Sequence, residues 1–206
     1  MERDRVRRRP REEIREDVLA AAARVFARRG FHGASVEAIS ADAGLSTGAI
    51  YSNFKGKEDL FLSLYEERIE RRRGELRSAV KRAGGGQAGL AAASADVAET
   101  LGSEREWFLL YFEFALHAAR DPAFARRFRQ VRQAGLRELR AGLSAGLDHA
   151  DLEPTLPTNE LARGLRALSY GLALDRLVDD GRGFEVLFGR ITELIFRGLA
   201  TEAKKS

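Results

Sequence analysis

The stretch Val36-Glu-Ala-Ile39-Ser-Ala-Asp42-Ala-Gly44-Leu45-Ser46-Thr-Gly48-Ala-Ile50-Tyr51-Ser-Asn53-Phe54-Lys-Gly-Lys57-Glu-Asp-Leu60-Phe61 decides the fold. Its apolar residues fall at helical spacing in two short runs, Val36, Ile39 and Ala43, then Ile50 and Phe54. Ser35 and either Ser46 or Thr47 stand where N-caps belong, and Gly44 supplies the positive φ of a tight turn. Small Ala38, Ala43 and Gly44 let two helices cross closely, with Ile39 and Leu45 filling the angle. This is the pattern of a helix-turn-helix, whose second helix exposes Thr47, Gly48, Tyr51, Ser52 and Asn53. Short polar groups and one tyrosine on such a face suit base edges and phosphates.

Working outward, Ile14, Val18, Ala22, Val25 and Phe26 predict an amphipathic helix closed by Arg29-Gly30. On the other side, Leu60, Phe61, Leu64, Tyr65, Ile69, Leu76 and Val80 predict a longer helix from Lys57. It leads into Ala83-Gly-Gly-Gly-Gln-Ala-Gly89, read as a flexible linker. Lys55 and Lys57 sit near the start of that helix, where unpaired N–H groups favour a phosphate. Arg3, Arg5, Arg7, Arg8, Arg9 and Arg11 form a basic N-terminal arm.

Beyond the linker the periodicity predicts helices over about 90–101, 104–120, 122–148, 158–179 and 184–200, with Asp121-Pro122 as a start signal and 151–157 as a loop. Composition agrees with an all-α chain: 32 Ala and 26 Leu stand against 9 Val, 6 Ile and 6 Thr, and no proline lies between Pro10 and Pro122. We therefore expect an N-terminal three-helix DNA-binding domain within residues 1–82 and a C-terminal helical bundle over residues 90–206.

Charge partitions the same way. The net charge is +4, but residues 1–82 hold 19 Lys+Arg against 14 Asp+Glu, which leaves 16 against 17 for the rest. An anionic partner for the first part alone follows. Cysteine is absent, which excludes disulfides and thiolate chemistry. The longest apolar run, Trp107–Leu116, is broken by Glu113 and too short to span a bilayer. With no secretory signal pattern at the N-terminus, a cytoplasmic protein without membrane contact is expected.

Two enzyme-like motifs fail in context. Gly44-Leu-Ser46-Thr-Gly48 spells a nucleophile elbow, and Asp121 and His149 follow in hydrolase order, but helical residues precede it where a strand is required. Gly84, Gly86 and Gly89 match a dinucleotide fingerprint, yet basic helix rather than strand leads into them. His32, His117 and His149 show no ligand spacing, so neither a metal nor another cofactor is expected, and no catalytic residues are assigned.

Residues 14–65 closely resemble the DNA-binding domain of the tetracycline-repressor (TetR) family. The shared features are Phe26 to Gly33, the turn Gly44-Leu45-Ser46, Gly48-x-x-Tyr51-x-x-Phe54, and Lys57-Glu58-x-Leu60. The resemblance implies that Ser35, Thr47, Gly48, Tyr51, Ser52, Asn53 and Lys57 fall on positions that commonly touch DNA, with Asn53 standing where histidine is frequent; Ser46 and Lys55 join them from the reading of the residues. It also implies a homodimeric repressor on a double-stranded palindromic operator, with a small-molecule effector in the C-terminal domain respacing the two heads.

The C-terminal residues supply matching pieces. Trp107, Tyr111, Glu113, Phe114 and His117 on a helix apolar nearly all round, with Phe128 and Tyr170, are the candidate lining for an apolar or aromatic effector. Leu168, Leu172, Phe188, Ile191, Leu194 and Ile195 form the candidate dimer stripe. The competing reading is a small-molecule-binding or catalytic helical domain with a non-functional head, distinguished by turnover that needs Glu113 and His117 without DNA.

Overall fold

A computed structural model describes residues 10–179 and 183–202, so the arginine arm before Pro10 lies outside the described residues. The order is α1 (Arg11–Gly33), α2 (Val36–Ala43), α3 (Thr47–Tyr51), α4 (Lys57–Arg82), α5 (Gly86–Ser103), α6 (Arg105–Arg120), α7 (Pro122–His149), β1 (Leu152–Pro154), α8 (Thr158–Val178), α9 (Phe184–Leu199) and β2 (Ala200–Glu202). Among the described residues the chain is all-α apart from one small strand pair. Among the described residues no helix is long and apolar enough to cross a membrane.

The caps read from sequence are in place. Ser35 Oγ accepts the Ala38 N–H, Ser46 Oγ accepts that of Ala49, and Asp121 Oδ1 accepts those of Ala123 and Phe124 ahead of Pro122. Each satisfies N–H groups that a helix start leaves without an intrahelical partner. Gly44 closes α2 in the left-handed conformation, at φ 64° and ψ 30°.

Helix α1 breaks at Gly30, whose φ of 66° and ψ of −179° belong to a region open essentially to glycine alone. After the break Phe31 turns inward. One apolar cluster then runs from Val18, Phe26 and Phe31 through Ile39, Ile50, Phe54, Leu60 and Phe61 to Tyr111, Phe114, Phe124 and Phe128. The head therefore rests directly on α6 and α7 through side chains that are each almost fully buried. Two smaller clusters join α5, α7 and α8, and α5, α6, α8 and α9.

Three expectations need correction. The glycine-rich stretch is mostly helix, with α5 starting at Gly86. Positive φ at Gly84, Gly85 and Gly86 makes a tight reversal that returns α5 against α4. Helix α3 ends at Tyr51 rather than running through Phe54. Lastly, the 151–157 loop contains β1, paired antiparallel with β2 in the register Leu152↔Glu202, Glu153↔Thr201 and Pro154↔Ala200. Pro154 has no N–H to donate and lies at the end of the ladder, where that loss matters least.

Candidate nucleic-acid interface

Helix α3 is anchored by Ile50 within it and by Phe54 three residues past its end. Ile50 and Phe54 are buried, while Gly48, Tyr51 and Ser52 are exposed and Thr47 is half-buried; Tyr51 keeps 57 % of its surface. Ser46 is exposed at the cap. The angle between α1 and α2 is pinned from outside by Asp42, which accepts from Arg24 Nε at 2.8 Å and also from Arg28. Those two bonds, Arg28's first, hold the Asp42 carboxyl below its ordinary range. Next to Ser35, Glu37 is lowered too, by its own backbone N–H and then by the Ser35 hydroxyl.

Two residues expected at DNA are occupied within the head. Asn53 Nδ2 donates to the Ala49 carbonyl at 2.9 Å and to Ser52 Oγ at 3.1 Å, and Asn53 Oδ1 accepts from Arg11 Nε at 3.0 Å. Arg11 also donates to the Ser52 carbonyl. Asn53 and Arg11 thus close the C-terminal end of α3 onto the start of α1. Lys57 Nζ donates to the Phe31 and Ala34 carbonyls at 3.1 and 3.2 Å and lies 4.3 Å from the centre of the Phe31 ring. It ties α4 to the segment after the Gly30 break. Lys55 is exposed, its backbone N–H held by Asp59.

The expected effector lining divides in two. Trp107, Tyr111, Phe114, Phe128 and Tyr170 do come together, joined by Phe61 and Tyr65, but as mutually packed rings. Tyr111 stacks on Tyr170 at 4.4 Å between centroids, and Tyr65 lies 5.9 Å from Phe128. The Tyr65 and Tyr170 hydroxyls are 3.1 Å apart. Burial pushes the Tyr65 and Tyr111 phenols upward, with the neighbouring Tyr170 next, so both stay protonated. The Arg68 guanidinium caps the Trp107 face at 4.5 Å and pairs with Glu104.

Glu113 and His117 leave that group and face the head, which corrects their expected place. Glu113 Oε2 accepts the Phe31 N–H at 2.6 Å, and a Cβ at Gly30 would lie 2.7 Å from Glu113 Oε1. His117 Nε2 donates to Glu58 Oε1 at 2.8 Å, and Arg127 pairs with Asp59 on the same turn of α4. The spacing marked Gly30 as a helix end, but its approach to Glu113 and the roles of Phe31, Glu58 and Asp59 escaped the sequence reading, because the partners are 59 to 83 residues away with no local signal.

The candidate dimer stripe also divides. Leu172 and Phe188 are buried in the chain's own core and Leu168 packs partly against it; Ile195 leans on the cluster of α5, α7 and α8. Ile191 is half-buried and Leu194 is 69 % exposed. Exposed apolar surface continues at Leu174, Val178, Val186 and Leu187. Periodicity found the apolar stripe, but not which part of it the chain covers itself.

A capped helix-turn-helix on an all-helical body is the architecture of a DNA-binding transcriptional regulator. The family profile described as "Bacterial regulatory proteins, tetR family" matches residues 18–64, and one described as "BetI-type transcriptional repressor, C-terminal" matches residues 96–201. The chain belongs to the tetR family of bacterial regulatory proteins. Among curated relatives it is 33 % identical over 72 residues to the HTH-type transcriptional activator FasR of Mycolicibacterium smegmatis, covering 35 % of this chain and 33 % of that one. It is 43 % identical over 53 residues to the HTH-type transcriptional repressor AcnR of Corynebacterium diphtheriae, covering 26 % of this chain and 28 % of that one. These matches span about a third or less of the relatives' lengths. Among solved structures, the fatty acid degradation regulator FadR from Bacillus halodurans matches with a TM-score of 0.73 at 21 % identity, over 90 % of this chain and 96 % of that one. FadR from Bacillus subtilis in complex with stearoyl-CoA matches at 0.71 and 20 %, over 89 % and 98 %.

Proposed function

We propose that this regulator is an effector-released repressor that binds a palindromic operator as a homodimer. Residues 1–82 serve as the reading head and residues 90–206 as the effector and dimerisation body. The observation that carries this reading is the outward face of α3: Thr47, Gly48, Tyr51 and Ser52 present small polar groups and one exposed phenol above a fully packed base. Ser35, Ser46 and Lys55 lie beside them for phosphate contact, while Asn53 and Lys57 hold the face in place. The repressor sense follows the description of the C-terminal profile.

Two recognition helices reach successive major grooves when their heads stand about 34–36 Å apart, and an effector that changes this spacing uncouples the half-sites. Fluorescence anisotropy with DNA flanking the gene tests the reading. Tyr51→Ala lowers affinity about tenfold or more, leaves unfolding stability within about 0.5 kcal/mol, and binding weakens steeply with salt. Salt-insensitive binding, or full affinity in Tyr51→Ala, refutes it.

Dimerisation is assigned to α8 and α9, whose exposed Leu174, Val178 and Leu194 make an apolar surface that a second copy covers. Leu194→Glu converts the dimer to a monomer in light scattering. The effector is apolar or aromatic and reaches the packed rings of Trp107, Tyr111, Phe114, Phe128 and Tyr170 by parting them, starting beside half-buried Tyr170. A long-chain acyl-CoA is the first compound to assay, because the Bacillus subtilis FadR of the same fold holds one. A ligand that binds the folded state raises the thermal midpoint and lowers operator affinity together.

A further inference from the structure

We propose a divalent metal site at the joint between head and body, formed by Glu58, His117 and Asp121. One donor atom from each of the three lies within 4.8 Å of the others. They come from three elements: the first turn of α4, the last turn of α6, and the cap shared by α6 and α7. All three residues are half-buried, sheltered yet reachable from solvent.

The chemistry of the donors fits. His117 Nε2 and Glu58 Oε1 already face each other at 2.8 Å across a single hydrogen. Bonds of about 2.0–2.2 Å from a tetrahedral zinc to nitrogen and oxygen put such atoms roughly 3.4 Å apart, so a cation replaces that hydrogen after a small opening of the pair. Asp121 uses Oδ1 to cap α7, and its Oδ2 makes no hydrogen bond among the described residues. That oxygen supplies the third bond without undoing the cap.

One imidazole and two carboxylates form a borderline donor set with coordination positions left for water. Such a set favours zinc-class transition cations over magnesium or calcium, which seek six or more oxygens. Occupancy would clamp the first turn of α4, six residues after Tyr51, to α6 and α7. The joint already carries the Glu113–Phe31 hydrogen bond, so the metal would stiffen a contact that bears on the head.

The experiment is isothermal titration of the metal-free full-length protein with Zn²⁺, alongside visible absorption of the Co²⁺ form. We expect saturable binding at one site per chain and a Co²⁺ d–d spectrum. His117→Ala, Glu58→Gln and Asp121→Asn should each weaken binding about tenfold or more, of the order seen when metal-site residues are altered. Asp121→Asn retains an acceptor oxygen for the cap, so it keeps the fold while removing the anionic ligand. His149→Gln, on the far end of α7, leaves affinity unchanged. Absence of saturable binding overturns the proposal, as does wild-type affinity in Asp121→Asn and His117→Ala. No DNA enters these measurements, so their failure and failure of the operator reading are separate results.

Discussion

Helices α3 and α6 both mix aromatic with polar side chains, and they deploy them oppositely. Tyr51 on α3 stands 57 % exposed, while Tyr111 on α6 is 2 % exposed beneath Tyr170. Thr47 and Ser52 flank Tyr51 on a face turned outward, whereas Glu113 and His117 reach across to Phe31 and Glu58. A short helix held by two buried anchors leaves its remaining surface for a partner. A central helix instead spends its polar groups on the neighbouring part of its own chain, because an unpaired polar group in a closely packed joint is costly.

Deleting the shared anchor tests this contrast hardest. Phe114 is fully buried and stacks on Phe61 of α4. Phe114→Ala should cost about 3–5 kcal/mol, the range for large core aromatics, in urea unfolding. If head and body are one cooperative unit, the transition stays single. A head transition that keeps its wild-type midpoint would break the contrast by showing that α6 does not support the head.

Gly30 gives the next largest effect. Gly30→Ala forces a Cβ to within 2.7 Å of Glu113 Oε1 and into a backbone region that alanine avoids. The backbone alone costs about 1–3 kcal/mol, before Glu113 is displaced. A stability loss below about 1 kcal/mol would mean that the break in α1 relaxes freely.

Glu113 itself separates the hydrogen bond from the packing. Glu113→Ala strands the Phe31 N–H and should cost about 1–3 kcal/mol; Glu113→Gln, which keeps an acceptor oxygen, should recover much of it. Equal losses in the two variants would point to charge rather than acceptance at Phe31.

The same contrast explains what was legible in the residues alone. Ser35, Ser46 and Asp121 act on N–H groups two or three positions away, so caps and turns are readable from neighbours in sequence. Ile50 and Phe54 follow from spacing for the same reason. Glu113 and His117 look like pocket groups because they sit among aromatics on one helix, and only the packing of α6 on α1 and α4 reveals their partners. Leu172 and Leu194 are both apolar at helical spacing, yet one is 7 % exposed and the other 69 %. Period identifies a stripe, whereas the neighbouring helices decide how much of it remains open.

Acid unfolding offers the smallest and most selective test, at the pin between α1 and α2. The folded carboxyl of Asp42 is depressed, first by Arg28 and then by Arg24, so near its ordinary value of 3.8 the unfolded chain binds more protons. Its contribution is therefore complete above that value and is lost as pH falls through the depressed one. Asp42→Asn should flatten this part of the stability profile and leave the neutral-pH contacts of α6 intact. Some acid sensitivity should persist, because Asp121 is depressed as well, by backbone N–H groups that the variant retains. Salt should erode the Asp42 share first, since the Arg24 and Arg28 side chains are more than half exposed and their ion pairs are screened. A profile unchanged in Asp42→Asn would show that the caps and apolar anchors of the head hold the α1–α2 angle without the ion pair.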